Sequence, residues 1–123
     1  MNTALVILAH GARDPRWAEP FERLREVVQQ RAPSAAVRLA YLESMQPDLT
    51  TAMAELIGQG ATAIRVVPIF FGQGGHVRED LPRLIANLAQ QHPAVQIDCT
   101  LPAGEAPEVI EALAQYCLGD FDT

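Results

Sequence analysis

The chain of 123 residues has room for one domain with a core of its own, and its 49% hydrophobic content fits a folded, globular protein. The first apolar run, Ala4 to Ala9, is far shorter than the roughly 20 residues of a transmembrane helix, and no basic segment precedes it as in a secretory signal. That leaves a cytoplasmic protein with no membrane partner as the expectation. A formal net charge of -6, without a basic stripe interleaved with aromatics, argues against nucleic acid as a partner.

In chain order, Thr3 to Ala9 is a continuous apolar run that predicts a central parallel strand, stopped by His10-Gly11-Ala12-Arg13-Asp14-Pro15. Beyond it, Trp17, Phe21, Leu24 and Val28 recur at helical spacing, which predicts an amphipathic helix ending near Ala32-Pro33, with Pro20 confined to its first turn or a kink. Ala36 to Leu42 predicts a second strand, and Glu43 stands at its C-terminal end. Ser44 to Pro47 then turns the chain into a second helix, marked by Leu49, Met53, Leu56 and Ile57 and closed by Gly58-Gln59-Gly60.

The stretch Val66 to Pro82, VVPIFFGQGGHVREDLP, opens as a buried third strand. It breaks at Gly72, Gly74 and Gly75, which permit backbone approaches that a side chain would block. His76 follows at once, and Arg78, Glu79, Asp80 and Pro82 read as the start of a third helix, carboxylates being favoured at its positive end. That helix uses Leu81, Leu84, Ile85 and Leu88 as far as His92-Pro93. Val95 to Thr100 predicts a fourth strand, Leu101 to Pro107 is turn-rich, and a final helix carries Val109, Ile110, Leu113 and Cys117 on its apolar face. Cys99 and Cys117 lack CxxC spacing and read as reduced core residues. From Asp98 onward the chain has six acidic residues and no basic one, a solvated face by ordinary expectation.

Strand and helix thus alternate four times with short connections. The expected fold class is α/β: a single domain over residues 1–123, with a four-stranded, mainly parallel sheet flanked by helices and strands one and three adjacent across a switch point. His10, Glu43 and His76 each follow a strand, so all three are expected at one edge of the sheet, where open α/β sheets place their ligands.

Two imidazoles and a carboxylate suit Fe, Co, Ni or Zn and leave positions open for a substrate. Each residue also has a plainer reading: a histidine held in a loop, or a carboxylate capping the turn after its strand. Arg13, Arg16 and Arg78 flank the histidines and are suited to bidentate carboxylate contacts, or else pair locally with Asp14, Glu79 or Asp80. The glycines match neither GxGxxG nor GxxxxGK[ST], and no serine or cysteine has the setting of a nucleophile.

The pairing of LAHGARDPRW with VPIFFGQGGHVREDLP resembles the small CbiX-type chelatases, members of the class II tetrapyrrole chelatases that include sirohydrochlorin cobaltochelatases and ferrochelatases. The resemblance extends from the first strand to the last helix. It implies a chelatase-like half unit, a lyase that inserts a divalent metal into sirohydrochlorin on a path to cobalamin or sirohaem, with Co²⁺ favoured over Fe²⁺ or Ni²⁺ and no cofactor beyond that substrate metal. Carried over by position, His10 and His76 match the family's active-site histidines as catalytic and metal-binding residues, and Glu43 matches an acidic residue near the metal. Arg13, Arg16 and Arg78 would meet the macrocycle's carboxylates, with Gly74 and Gly75 in the same binding surface. Because one small sheet edge encloses a macrocycle poorly, the resemblance also implies a homodimer. A metal-delivery protein using the same ligands, or a regulatory α/β domain with structural histidines, are the competing readings.

Overall fold

The computed structural model describes residues 2–72 and 74–121, the side chains of Gly75 and His76 excepted. Four parallel strands, β1 (Thr3–Ala9), β2 (Ala36–Tyr41), β3 (Ala63–Pro68) and β4 (Gln96–Cys99), alternate with α1 (Glu19–Arg31), α2 (Leu49–Gly58), α3 (Gly75–Gln91) and α4 (Pro107–Leu118). The sheet order is β2-β1-β3-β4, so the chain reverses direction across the sheet between β1 and β3, the predicted switch point. In register, Ala9 lies opposite Tyr41 and Leu8 opposite Pro68.

The period-two alternation of β1 sends Ala4, Val6 and Leu8 to one face. There they meet Ile64 and Val66 of β3, Leu49, Met53 and Leu56 of α2, and Leu81 and Leu88 of α3, all buried. Burying each of these larger side chains contributes about 1.5–3 kcal/mol, which makes this face the main support of the fold. On the opposite face Ala9, Ala18 and Tyr41 form a smaller cluster with Phe21, Leu39 and Met45, and α1 covers β1 and β2. Over β3 and β4 that same face carries an exposed ion pair, Arg65 Nε to Asp98 Oδ1 at 3.4 Å.

Local signals account for the element ends. The Asp48 carboxylate caps α2 by accepting a hydrogen bond from the Thr51 N–H at 2.8 Å. At the other end the Gly60 N–H bonds to the Ile57 carbonyl and the Ala61 N–H to the Leu56 carbonyl, a Schellman arrangement with Gly60 at φ 99°. Pro20 lies in the first turn of α1, as its fixed φ requires, and His92 caps α3 before Pro93.

Three expectations are corrected. The third helix begins at Gly75, earlier than Arg78, so His76 belongs to its first turn and Pro82 to its interior. Cys99 and Cys117 are free thiols on exposed residues, not core residues; burial of the Cys99 sulfur and the adjacent Asp98 charge still push its pKa up. Helix α4 forms where periodicity places it but buries none of its residues, and it packs chiefly on the 3₁₀ turn Ala103–Glu105 just before it.

Candidate active site

The β1–β2 ladder continues beyond both strands: the Leu42 N–H donates to the Ala9 carbonyl at 3.0 Å and the Glu43 N–H to the His10 carbonyl at 3.1 Å. These bonds bring the two side chains together, with His10 Nε2 3.2 Å from Glu43 Oε1. Gly11 makes the approach possible. It sits at φ 95°, and a Cβ there would lie 1.9 Å from the Glu43 carbonyl oxygen, so only glycine fits. On its other side the His10 ring meets Phe70 edge to face, centroids 6.3 Å apart.

An imidazole fixed this way has two uses. When Nε2–H donates to Glu43, the Nδ1 lone pair is free for a proton or a metal ion; when Nε2 is itself deprotonated, it and Oε1 form a two-donor edge. Both side chains are more than half exposed, 54% for His10 and 65% for Glu43, so a ligand can reach them. The predicted third donor, His76, is delivered by the first turn of α3 beyond β3, and its side chain lies outside the described residues.

His10 of the pair lines a cavity of about 710 Å³. Its walls are mostly apolar and come from four places in the chain: Trp17 and Phe21, Tyr41 and Met45, Ile69 to Phe71, and Val109 and Leu113 of α4. Burial, and next the negative charge of Glu22, push the Tyr41 phenol above its ordinary range, so it faces the cavity as a neutral hydroxyl. A cavity of this size with a few convergent polar groups is the usual form of a small-molecule site.

The arginines divide. Arg16 is engaged by Asp14, whose carboxylate takes the Arg16 Nε at 3.1 Å and Nη2 at 2.7 Å; these bonds lower the Asp14 pKa and raise that of Arg16. Arg13 and Arg78 are exposed and make no ion pair among the described residues. Of the glycines singled out from sequence, Gly72 and Gly74 have open space where a Cβ would go. The close approach occurs instead at Gly104, where a Cβ would lie 2.2 Å from the Phe71 carbonyl oxygen.

A sequence model of the CbiX family matches residues 4–117, almost the whole chain. The chain belongs to the CbiX family. Among curated relatives of this CbiX-family protein, the sirohydrochlorin cobaltochelatase of Methanocaldococcus jannaschii is 36% identical over 89 residues, covering 72% of this chain and 62% of that protein. The sirohydrochlorin ferrochelatase of Bacillus subtilis is 27% identical over 113 residues, 92% of this chain and 43% of its own length. The chain thus spans about two to three fifths of the length of these curated relatives. In three dimensions the chain is similar to a CbiX protein assigned to cobalamin (vitamin B12) biosynthesis in Marinobacter aquaeolei VT8, with TM-score 0.81, 34% identity and 96% of each chain covered. It is also similar to the sirohydrochlorin chelatase SirB of Bacillus subtilis subspecies spizizenii in complex with cobalt, with TM-score 0.80, 26% identity, and 98% of this chain against 51% of that one.

Sequence reasoning brought His10 and Glu43 to one place, and the structure joins them. It missed the apolar side chains around them. Tyr41 read only as part of a strand and Trp17 as one of a helix's core positions, yet both face the cavity. The available signal was position: Tyr41 is the last residue of β2 and Trp17 lies in the connection that leaves the C-terminal end of β1, where this topology opens.

Proposed function

We propose that the chain inserts a divalent metal ion, Co²⁺ in preference to Fe²⁺ or Ni²⁺, into sirohydrochlorin. The observation that carries this is the His10–Glu43 pair, held at 3.2 Å with His10 lining a large apolar cavity in a CbiX-family chain. The two curated relatives compared above divide between cobalt and iron; the more identical, at 36%, is the cobaltochelatase.

Metallation must remove two pyrrole N–H protons while the ion loses its water. Glu43 fixes the His10 ring, so that one imidazole nitrogen meets the ion over the macrocycle and then, once the ion has moved on, takes up one of the two protons, the other leaving to solvent water by way of the exposed Glu43 carboxylate. A single lone pair serves these roles in turn. His76 is the proposed second nitrogen donor from the first turn of α3, and Gly74 and Gly75 let the macrocycle edge approach there. Arg13 and Arg78 meet the macrocycle's carboxylates; Arg16 joins them only by exchanging Asp14 for substrate.

The proposed assembly is a homodimer, supported by the apolar side chains that α4 leaves uncovered. A cytoplasmic location fits the absence, among the described residues, of any helix long and apolar enough to cross a membrane.

The test is spectroscopic: purified protein, sirohydrochlorin, and Co²⁺ or Fe²⁺ added anaerobically, with metal-only controls for spontaneous insertion. Wild type accelerates the absorbance change, and His10→Ala abolishes the acceleration with an unchanged circular dichroism spectrum. Metal binding without any change in the tetrapyrrole spectrum would favour a delivery protein instead.

A further inference from the structure

Two large side chains border the cavity while remaining mostly in solvent, Trp17 at 66% exposure and Phe71 at 70%. A single exposed aromatic residue is ordinary, but two on the rim of one cavity mark a binding surface. They come from opposite sides of His10. Trp17 precedes α1, which covers β2 and β1, whereas Phe71 follows β3 and packs beneath the turn that follows β4. We propose that Trp17 and Phe71 form an aromatic clamp that holds the flat, conjugated macrocycle across His10. The clamp rests on the chelatase reading and adds to it the residues that recognise the ring.

Both rings stand on fixed backbone. The 3₁₀ turn Pro15–Ala18 that carries Trp17 is capped by Asp14, which accepts from the Arg16 N–H at 3.0 Å through its side chain and from the Trp17 N–H at 3.1 Å through its carbonyl. The next residue, Ala18, is buried. Phe71 is held by the Gly104 N–H, which donates to the Phe70 carbonyl at 3.0 Å, and by the absence of a Cβ at Gly104. Rigid supports beneath exposed π faces lower the ordering cost of binding a planar ligand.

The polarity of the surface selects this ligand over a protein surface. A tetrapyrrole has apolar faces, N–H groups at its centre and carboxylates at its rim. The site matches that pattern: aromatic walls, His10 among them with Glu43 at 3.2 Å, and Arg13, next in sequence to Ala12 of the lining and without an ion pair among the described residues. A second copy of the chain would meet the apolar walls but leave His10 and Glu43 facing apolar surface, which is costly for groups that need polar partners.

Trp17 is the only tryptophan in the chain, so its emission reports on the clamp directly. Metal-free sirohydrochlorin, titrated without any metal ion and corrected for its own absorbance, quenches Trp17 emission saturably. Trp17→Ala and Phe71→Ala each raise the KM for the macrocycle roughly three- to tenfold with little change in kcat. Trp17→Phe and Phe71→Tyr, which keep a π face, restore it, whereas Phe71→Leu does not. Wild-type protein that inserts cobalt while its emission ignores the macrocycle overturns the clamp and leaves the chelatase reading intact. Quenching without insertion does the reverse. An emission change that follows protein concentration in place of the macrocycle places the rings against a second copy, and also overturns the clamp.

Discussion

At the scale of single residues, the site depends on one missing Cβ. Gly11→Ala would force a left-handed backbone on alanine and drive its Cβ into the Glu43 carbonyl, so the β1–β2 extension that aligns His10 must open. The expected result is a loss of about 2 kcal/mol or more of stability, read as a lower thermal midpoint, together with loss of the proposed activity. Glu43→Gln separates geometry from charge. Its side chain is mostly solvent-exposed, so folding should be unchanged, while the amide cannot hold a protonated imidazole or a cation as a carboxylate does. Metal insertion should fall about 10- to 100-fold; a wild-type rate would remove Glu43 from the site.

At the scale of elements, α2 is a test of how sequence writes its own boundaries. The two hydrogen bonds from Thr51 hold the Asp48 carboxyl below the ordinary carboxylate range. A group with a depressed folded-state pKa contributes stability above its unfolded pKa and loses that contribution as pH falls through the folded value. Asp48→Ala should therefore cost about 1 kcal/mol near neutrality, and the gap between variant and wild type should close in acid; chemical denaturation at several pH values measures both. Such signals are why this part of the fold was legible. Asp48, Gly60 and the spacing of Leu49, Met53 and Leu56 all act within a few residues of one another, as do the apolar runs that became β1 to β3. The site's backbone plan was legible for the same reason, since placing His10 and Glu43 required only that each follow a strand. What failed depended on distant partners. Helical spacing put Trp17 on an apolar face but could not say that two thirds of it would stay exposed, and the glycine whose missing Cβ admits the Phe71 backbone is Gly104, more than 30 residues beyond it. Helix α3 begins inside a glycine-rich stretch that reads locally as a break, because Leu81 and Leu88 are anchored in the core regardless of how its first turn is written.

At the scale of the whole molecule, α4 is an amphipathic helix with no surface to bury its apolar side on. It exposes Ile110 at 45%, Tyr116 at 84% and Leu118 at 48%, with Phe121 at 73% just beyond it. These exposed side chains, on a helix whose Val109 and Leu113 face the candidate-site cavity, make α4 the surface through which a second copy of the proposed homodimer would join the site. Charge sets the conditions. Glu108, Glu111 and Asp120 accompany these side chains with no basic residue after Asp98, so two copies meeting symmetrically through α4 would bring like charges together. Raising the ionic strength screens that repulsion and also strengthens apolar association, so the dimer should tighten with added salt, opposite to an interface built on ion pairs. Tyr116→Asp, which adds charge at the most exposed position without touching the core, should weaken association at least tenfold while leaving the circular dichroism spectrum unchanged. Sedimentation velocity across a concentration series measures both effects. A wild-type chain that stays monomeric at high salt and tens of micromolar would rule out α4 as the interface, and would require the cavity to work with α4 as its outer wall.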